Sequence, residues 1–196
     1  MTIHVDEKIR LDQFEKKHGQ AIFDLASQNK NYLNKWLPWV DNMQSVDFIF
    51  NYISASNQRT KEGHEITFVI FYNDTIVGRI GVYKIDHQNK IGEIGYWIGE
   101  EFQGNGTVTK SCEALINYCF SELKLNRIEI RCGTENQKSK TIPNRINFIQ
   151  EGIIRQGEFL HDHYIDLILF SMMKEDWENN LFRNLARNIH PVKSIL

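Results

Sequence analysis

Proline is scarce, with three residues in 196, and no stretch rich in proline, glycine or serine marks a linker between separate bodies. Cysteine is equally scarce. Cys112, Cys119 and Cys132 are an odd set without metal-ligand spacing, which excludes a disulfide framework and points to reduced thiols. Cys112 and Cys119 stand seven apart in an apolar helical pattern, as small buried hydrophobes do. There is no excess of basic charge: 23 Lys and Arg against 25 Asp and Glu give a formal net charge of -2. Binding driven by counterion release therefore lacks a broad basic face, and nucleic acid is not expected as a partner. Long apolar runs are missing too. The longest, Tyr164 to Met173, is broken by Asp166 and Ser171 and falls short of the roughly 20 residues that span a bilayer. The opening MTIHVDEKIR is charged from the start, unlike a signal peptide. No membrane partner and a cytoplasmic location are the expectation.

What is present is an ordinary globular composition, 41% apolar and 24% charged, in a chain long enough to bury a core. Residues 8 to 11 read as a short first strand, and Leu11 to about Gln28 as an interrupted helical region with Gly19 a weak point. An aromatic segment, Tyr32 to Val40, follows. Ser45 then stands where a cap would open a helix carrying Phe48, Ile49, Tyr52 and Ile53. From Ile66 the period becomes two. Ile66 to Tyr72, Thr75 to Tyr83 and Ile91 to Ile98 read as three antiparallel strands, the first two joined by Asn73-Asp74. Val108, Cys112, Leu115, Ile116, Cys119, Phe120 and Leu123 form one helical stripe. A strand over Arg127 to Cys132, a short helix over Ser139 to Phe148, and strands over Ile149 to Arg155 and Tyr164 to Met173 complete a mixed α/β sheet packed on helices. Residues 178–196 lie beyond it, where Leu181, Phe182 and Leu185 suit a docked helix and the end a disordered tail.

The most informative stretch is Gln103-Gly104-Asn105-Gly106-Thr107-Val108, between a strand and an amphipathic helix. Glycines there let backbone approach an anion closely, and the free N–H groups of the helix start point at it. The geometry suits a diphosphate. As G-x-G-x-x-G it is a near miss, with Thr109 at the third glycine and antiparallel strands where a βαβ unit should precede. As a P-loop it misses its second glycine, again at Thr109, and no downstream strand ends in a convincing metal-binding aspartate.

The same loop resembles the Q/R-x-x-G-x-A/G acyl-CoA motif of the GNAT acetyltransferase superfamily, with Val108 replacing the usual small residue. Thr134-Glu135-Asn136-Gln137-Lys138-Ser139 resembles the N-x-x-S motif of the RimJ/RimL-type branch. Ile146-Asn147-Phe148 stands where that branch carries Leu-Gly-Phe, with asparagine at a turn that needs αL. Glu151-Gly152 with Arg155, Tyr164-Ile165-Asp166 and Glu175-Asp176-Trp177 match its later signatures, so the likeness covers about residues 5 to 177.

The resemblance implies a GNAT fold over residues 1–177: about seven strands, mostly antiparallel, splayed between strands four and five and packed on about four helices. It implies acetyl-CoA as co-substrate, held by Gln103, Gly104, Asn105, Gly106, Thr107 and Val108 at the pyrophosphate, with Asn136 on the pantetheine arm. A backbone N–H near Trp97 or Ile98 would bond the thioester oxygen. Ser139 would protonate the sulfur, unless it is only a helix cap. Glu93 leads as the base and Tyr96 is a second catalytic candidate, each balanced against an ion-paired or packing role. Lys138, Lys140 and Arg145 either reach the 3′-phosphate or are solvated. No metal is expected, since His161 and His163 at i, i+2 point opposite ways on a strand. Their turn, with Trp36, Leu37, Pro38 and Trp39, is expected to shape the acceptor cleft. The acceptor implied is a protein N-terminus, ribosomal proteins included. A polyamine or aminoglycoside acetyltransferase and a non-catalytic CoA sensor are the alternatives, and a homodimer is common in the branch.

Overall fold

A computed structural model describes residues 1–180. Strands β1 (Thr2–His4) and β2 (Ile9–Gln13) precede four helices, α1 (Gly19–Gln28), α2 (Lys30–Leu33), α3 (Trp39–Asn42) and α4 (Val46–Lys61). Then come β3 (Ile66–Tyr72), β4 (Thr75–Asp86), β5 (Ile91–Ile98), α5 (Thr107–Ser121), β6 (Arg127–Gly133), α6 (Gln137–Arg145), β7 (Ile149–Leu160) and β8 (His163–Met173). The eight strands form one sheet in the order β1-β2-β3-β4-β5-β6-β8-β7. Among the described residues, only β5 and β6 run parallel.

Helices cover both faces. The stripe of α5, with Cys112, Leu115, Ile116 and Cys119 at 0% exposure, packs on Ile80, Val82, Ile94 and Phe170. On the opposite face α1 and α4 bring Ile22, Ala26, Ile49 and Ile53 against Val69, Phe71 and Trp97. Strand β3 is buried from Ile66 to Phe71 because it lies between the two cores, so its sequence is continuously apolar. Burial raises the thiols of Cys112 and Cys119 far above their ordinary range.

Several expectations shift. Eight strands stand where about seven were expected, because Thr2–His4 pairs with Arg10–Asp12. Leu11–Gln13 is strand, paired to Phe68–Ile70, and the helical region starts only at Gly19 after a turn of 3-10 helix at Lys16–His18. Six α-helices lie within residues 1–173, of which α2 and α3 are single turns; the other four are the long ones foreseen. Ser45 occupies the N-cap of α4 without a side-chain hydrogen bond. Strand β4 runs on to Asp86 and β7 to Leu160. Helix α6 ends at Arg145, and Asn147 takes the left-handed conformation at φ 61, as its place in a glycine-preferring turn requires. Residues 174–180 are helical, anchored by Trp177, whose Nε1–H donates to Asn117 Oδ1 at 2.6 Å. Leu181, Phe182 and Leu185 lie outside the described residues.

The face that carries Trp97 bears an alternating ladder of charge across four strands. Lys84 meets Glu93 at 2.9 Å, Glu93 faces Arg131 at 3.5 Å, and Arg131 bonds Glu129 at 2.9 Å. Glu129 in turn accepts from Arg127, which grips Glu151 through both terminal nitrogens at 2.6 and 2.7 Å. The Arg127 guanidinium, and then the Ser171 hydroxyl, hold the Glu151 carboxyl down at about 2 from an ordinary 4.5. A depressed carboxyl stabilises the fold above its unfolded value and loses that contribution as pH falls from about 4.5 toward 2. Glu151 is 35% exposed, so screening reduces the contribution to about 1 kcal/mol. Glu151→Gln should therefore lower stability by about 1 kcal/mol at pH 7 and flatten its fall between pH 4.5 and 2, measured by urea melts across that range.

Candidate active site

The parallel ladder between β5 and β6 is only three pairs long, Ile91–Arg127, Gly92–Ile128 and Glu93–Glu129. Beyond it the strands part, while β5 stays paired to β4 as far as Ile98. Gly78 makes this curvature feasible, because a Cβ there would lie 2.2 Å from the Trp97 carbonyl oxygen. Lacking one, β4 lets the end of β5 press onto it and away from β6. The N–H groups of residues 94–98 that point toward β6 are left without a strand partner.

The gap opens into a cavity of about 790 Å³ that passes through the sheet. Strand alternation sorts its walls. Ile94, Tyr96, Ile98, Ile130 and Cys132 line the α5 side, while Glu93, Gly95, Trp97, Arg131 and Gly133 line the side of α1 and α4. Two reactants can therefore meet at the splay from opposite faces.

The glycine loop rims the α5 side. Gly104 and Gly106 have φ of 81° and 71°, a region costly to residues with a Cβ. A Cβ at either would meet nothing within 4 Å, so the space before them is free for a ligand. Among the described residues, backbone bonding passes from the Gln103 N–H, on Glu100 O at 3.3 Å, to the Lys110 N–H, on Gly106 O at 3.0 Å. The amides between them are free to converge on an anion at the start of the 15-residue helix α5. The buried Thr107 hydroxyl also lacks a protein partner. This donor set fits a diphosphate. Gln103, Gly104, Gly106, Thr107 and Val108 all line the cavity; Asn105 does not, and its amide donates back to Phe102 O at 3.3 Å. The Gln103 side chain is engaged, donating to Tyr32 Oη and accepting from Lys138 Nζ at 2.9 Å. Lys140 donates to Thr134 O at 3.2 Å, and Arg145 lines the cavity.

Across the gap, the cap of α6 is Asn136, where the sequence had allowed Ser139 that part. Asn136 is the N-cap of α6, its Oδ1 accepting from the Ser139 N–H at 3.1 Å. Ser139 stands three residues into the helix, is not the cap, and lines the cavity. Tyr96 Oη donates to the Ser139 carbonyl at 3.1 Å and ties β5 to α6 across the splay. Burial raises the Tyr96 phenol well above its ordinary value, which keeps it protonated. Cys132 lies beside this pair, its thiol pushed up to about 11 by burial.

On the other face, Trp36, Leu37, Ile165 and Leu167 surround four charges, Lys84, Glu93, Arg131 and Glu158. Glu93, foreseen as the leading base, is bonded to Lys84 and faces Arg131, the ion-paired alternative. Glu158 was missed. It is half-buried, no basic side chain among the described residues bonds it, and burial followed by the nearby Glu93 charge raises its carboxyl above the ordinary 4.5. A bulge aims it: pairing jumps from Ile154–Leu167 to Glu158–Ile165, Gln156 takes φ 49, and its N–H donates to Asp166 Oδ1 at 2.7 Å. The sequence signal was Gly157 inside a strand pattern, a mark of bulges. His161 is absent from the cavity wall and pins the hairpin tip instead, Nε2 lying 2.7 Å from Asn34 O. Trp39 packs on Trp97 and Phe48 behind the wall. No group of three metal-ligating side chains occurs among the described residues, and no described helix is long and apolar enough to cross a membrane.

A sheet split beside an anion-ready helix start, with a second opening on the far face, is the arrangement an acyl-CoA-dependent acyltransferase needs. The chain belongs to the GNAT acetyltransferase family, whose domain model, "Acetyltransferase (GNAT) domain", matches residues 8–149. It is 35% identical over 178 residues to the putative ribosomal N-acetyltransferase YdaF of Bacillus subtilis (strain 168), covering 90% of this chain and 97% of that one. It is 32% identical over 170 residues to the ribosomal-protein-serine acetyltransferase of Escherichia coli (strain K12), covering 87% and 95%. Among solved structures, RimL, a ribosomal L7/L12 alpha-N-protein acetyltransferase in complex with coenzyme A, superposes with a TM-score of 0.86 at 26% identity, over 90% of this chain and 99% of that one. The microcin C7 self-immunity acetyltransferase MccE, in complex with acetyl-CoA and AMP, gives 0.83 at 28%, over 86% and 94%. The protein is an acetyl-CoA-dependent N-acetyltransferase.

Gly104→Val places a β-branched residue at φ 81, in open space that a diphosphate would fill. We expect a folded protein, destabilised by roughly 1–2 kcal/mol, whose affinity for acetyl-CoA falls at least about 100-fold by titration calorimetry. Undiminished binding would refute the loop assignment.

Proposed function

We propose that this enzyme acetylates the N-terminal α-amino group of a ribosomal protein in the cytoplasm, by direct attack of the amine on the thioester. The observation that carries the reading is the cavity through the splay, with a pyrophosphate loop at one mouth and the half-buried carboxylate of Glu158 at the other. The acceptor wall balances two cations, Lys84 and Arg131, against two carboxylates, Glu93 and Glu158. A polyamine site would be acidic overall, whereas this wall suits an acceptor with one ammonium and a peptide backbone behind it. The curated relatives named above act on ribosomal proteins by their names.

In this reading the loop amides of residues 104–108 and the Thr107 hydroxyl hold the pyrophosphate, and Asn136 orients the arm. Glu158 takes the proton from the arriving ammonium. An α-amino group, with an unperturbed pKa near 7.7–8.0, needs less help than a lysine near 10.4. An unpartnered β5 N–H at Trp97 or Ile98 bonds the carbonyl oxygen as charge develops there. The Ser139 hydroxyl donates to the departing sulfur, with Tyr96 fixing the Ser139 backbone. The chain itself need form no acyl intermediate, because both openings lead to the same point.

Glu158→Gln should lower kcat/KM by about 10²–10³ and abolish the rise of rate with pH on the acid side, read by thiol release. Ser139→Ala should reduce kcat about tenfold or more while acetyl-CoA affinity changes less than about threefold. Across a panel of ribosomal-protein N-terminal peptides, polyamines and aminoglycosides, the best peptide should exceed the others in kcat/KM by at least about tenfold. Preference for a polyamine overturns the acceptor.

A further inference from the structure

Glu93 and Glu158 share one wall of the cavity but differ in company. Glu93 Oε2 is bonded by Lys84 Nζ at 2.9 Å and approached by Arg131 Nε at 3.5 Å, and Arg131 is itself held at 2.9 Å by Glu129. The same face of β6 carries Arg127, locked to both Glu129 and Glu151. Glu93 is thus the cavity-side carboxylate of a braced ladder, held in place through Oε2 by two cations. Glu158 stands alone on the bulge of β7. A proton acceptor needs a free lone pair and a path to the amine, and Glu158 has both. A neighbouring fixed negative charge makes such a carboxylate hold its proton more tightly, and makes the same corner favour an ammonium.

We propose that Glu93 is a positioning residue that acts through Glu158: its charge, braced by Lys84 and Arg131, strengthens Glu158 as the proton acceptor and draws the acceptor ammonium to it. This rests on the assignment of Glu158 as the base. The groups that bear on Glu158 are Lys84 from β4, Glu93 from β5 and, through Glu93, Arg131 from β6. Asp166 on β8 is committed to the Gln156 N–H. At the hairpin tip Asp162 bonds His163, and His161 faces Asn34 and Asp41. Glu93 is therefore the one carboxylate in this set that raises the Glu158 carboxyl, and Lys84 opposes it. Burial is the first cause of the raised Glu158 carboxyl, the Glu93 charge adds to it, and Lys84 works against both.

The pH dependence of kcat/KM separates these roles. In the intact enzyme the acid limb reports deprotonation of Glu158. Glu93→Gln removes the like charge, so its midpoint should move to lower pH by roughly half a unit or more, with KM for the amine rising more than kcat falls. Glu93→Asp, which keeps the charge, should return the midpoint toward that of the intact enzyme. Lys84→Met should move it the other way. A limb unmoved in Glu93→Gln, or a Glu93→Gln enzyme that loses the limb and its activity at every pH, overturns the proposal; the second outcome makes Glu93 the base. Failure of the underlying assignment looks different, since Glu158→Gln would then keep the acid limb. Acetyl-CoA titration and melting curves of each variant confirm that the folded, cofactor-competent state is the one compared.

Discussion

The three-pair limit on the parallel contact between β5 and β6 governs the rest of this molecule. A sheet that stays hydrogen-bonded along its length satisfies its own backbone and offers no opening. Here pairing ends at Glu93 and Glu129, and the backbone beyond needs other partners, which creates polar capacity inside an otherwise apolar layer. Gly78 supplies the steric allowance, and Tyr96, reaching the Ser139 carbonyl, holds α6 at a fixed distance across the breach. Closing the gap by a further pair would erase the cavity, the free amides and the meeting point together.

The two faces solve different electrostatic problems. On the α5 face, neutral backbone dipoles gather at a helix start, where they attract phosphate without buried charge. On the other face, full charges alternate along a ladder from Lys84 to Glu151. Isolated surface ion pairs contribute little to stability, but a ladder anchored in strands fixes each carboxylate and guanidinium in place. That fixation leaves Glu158, the one acid of the wall outside the ladder, as the group whose protonation the surroundings can adjust.

Much of this was legible in the residues. The turn Asn73-Asp74, the stripe of α5 and the bend Gln103 to Val108 declared themselves through period, spacing and glycine, because local geometry alone decides them. The left-handed turn at Asn147 was legible for the same reason. Whether Ser139 caps α6 was left open by the sequence, because capable caps stand at both Asn136 and Ser139 and only the register of α6 chooses between them. Glu93 could be placed on a face of its strand, yet its partners come from β4 and β6, 9 and 38 residues away in sequence. Glu158 was hidden because the expected strand stops at Arg155, whereas β7 resumes its pairing beyond the bulge at Gln156 and Gly157 and runs to Leu160. The short β1 and the exposed half of β7 carry too little apolar pattern to be read without their neighbours.

The halves of the through-sheet passage come from different stretches of chain. The α5 and α6 segments furnish the cofactor mouth, whereas Trp36, Leu37 and the β7–β8 hairpin furnish the opposite one. The hairpin is anchored by the pairing of β8 with β6 from Arg127–Met173 to Gly133–Leu167, while its tip meets the rest through His161 on Asn34, so side chains near the tip can be exchanged with small effect on how the nucleotide end is gripped. Such modularity gives evolution a way to redirect the enzyme to new amines by rewriting a dozen positions, and gives an engineer the same handle.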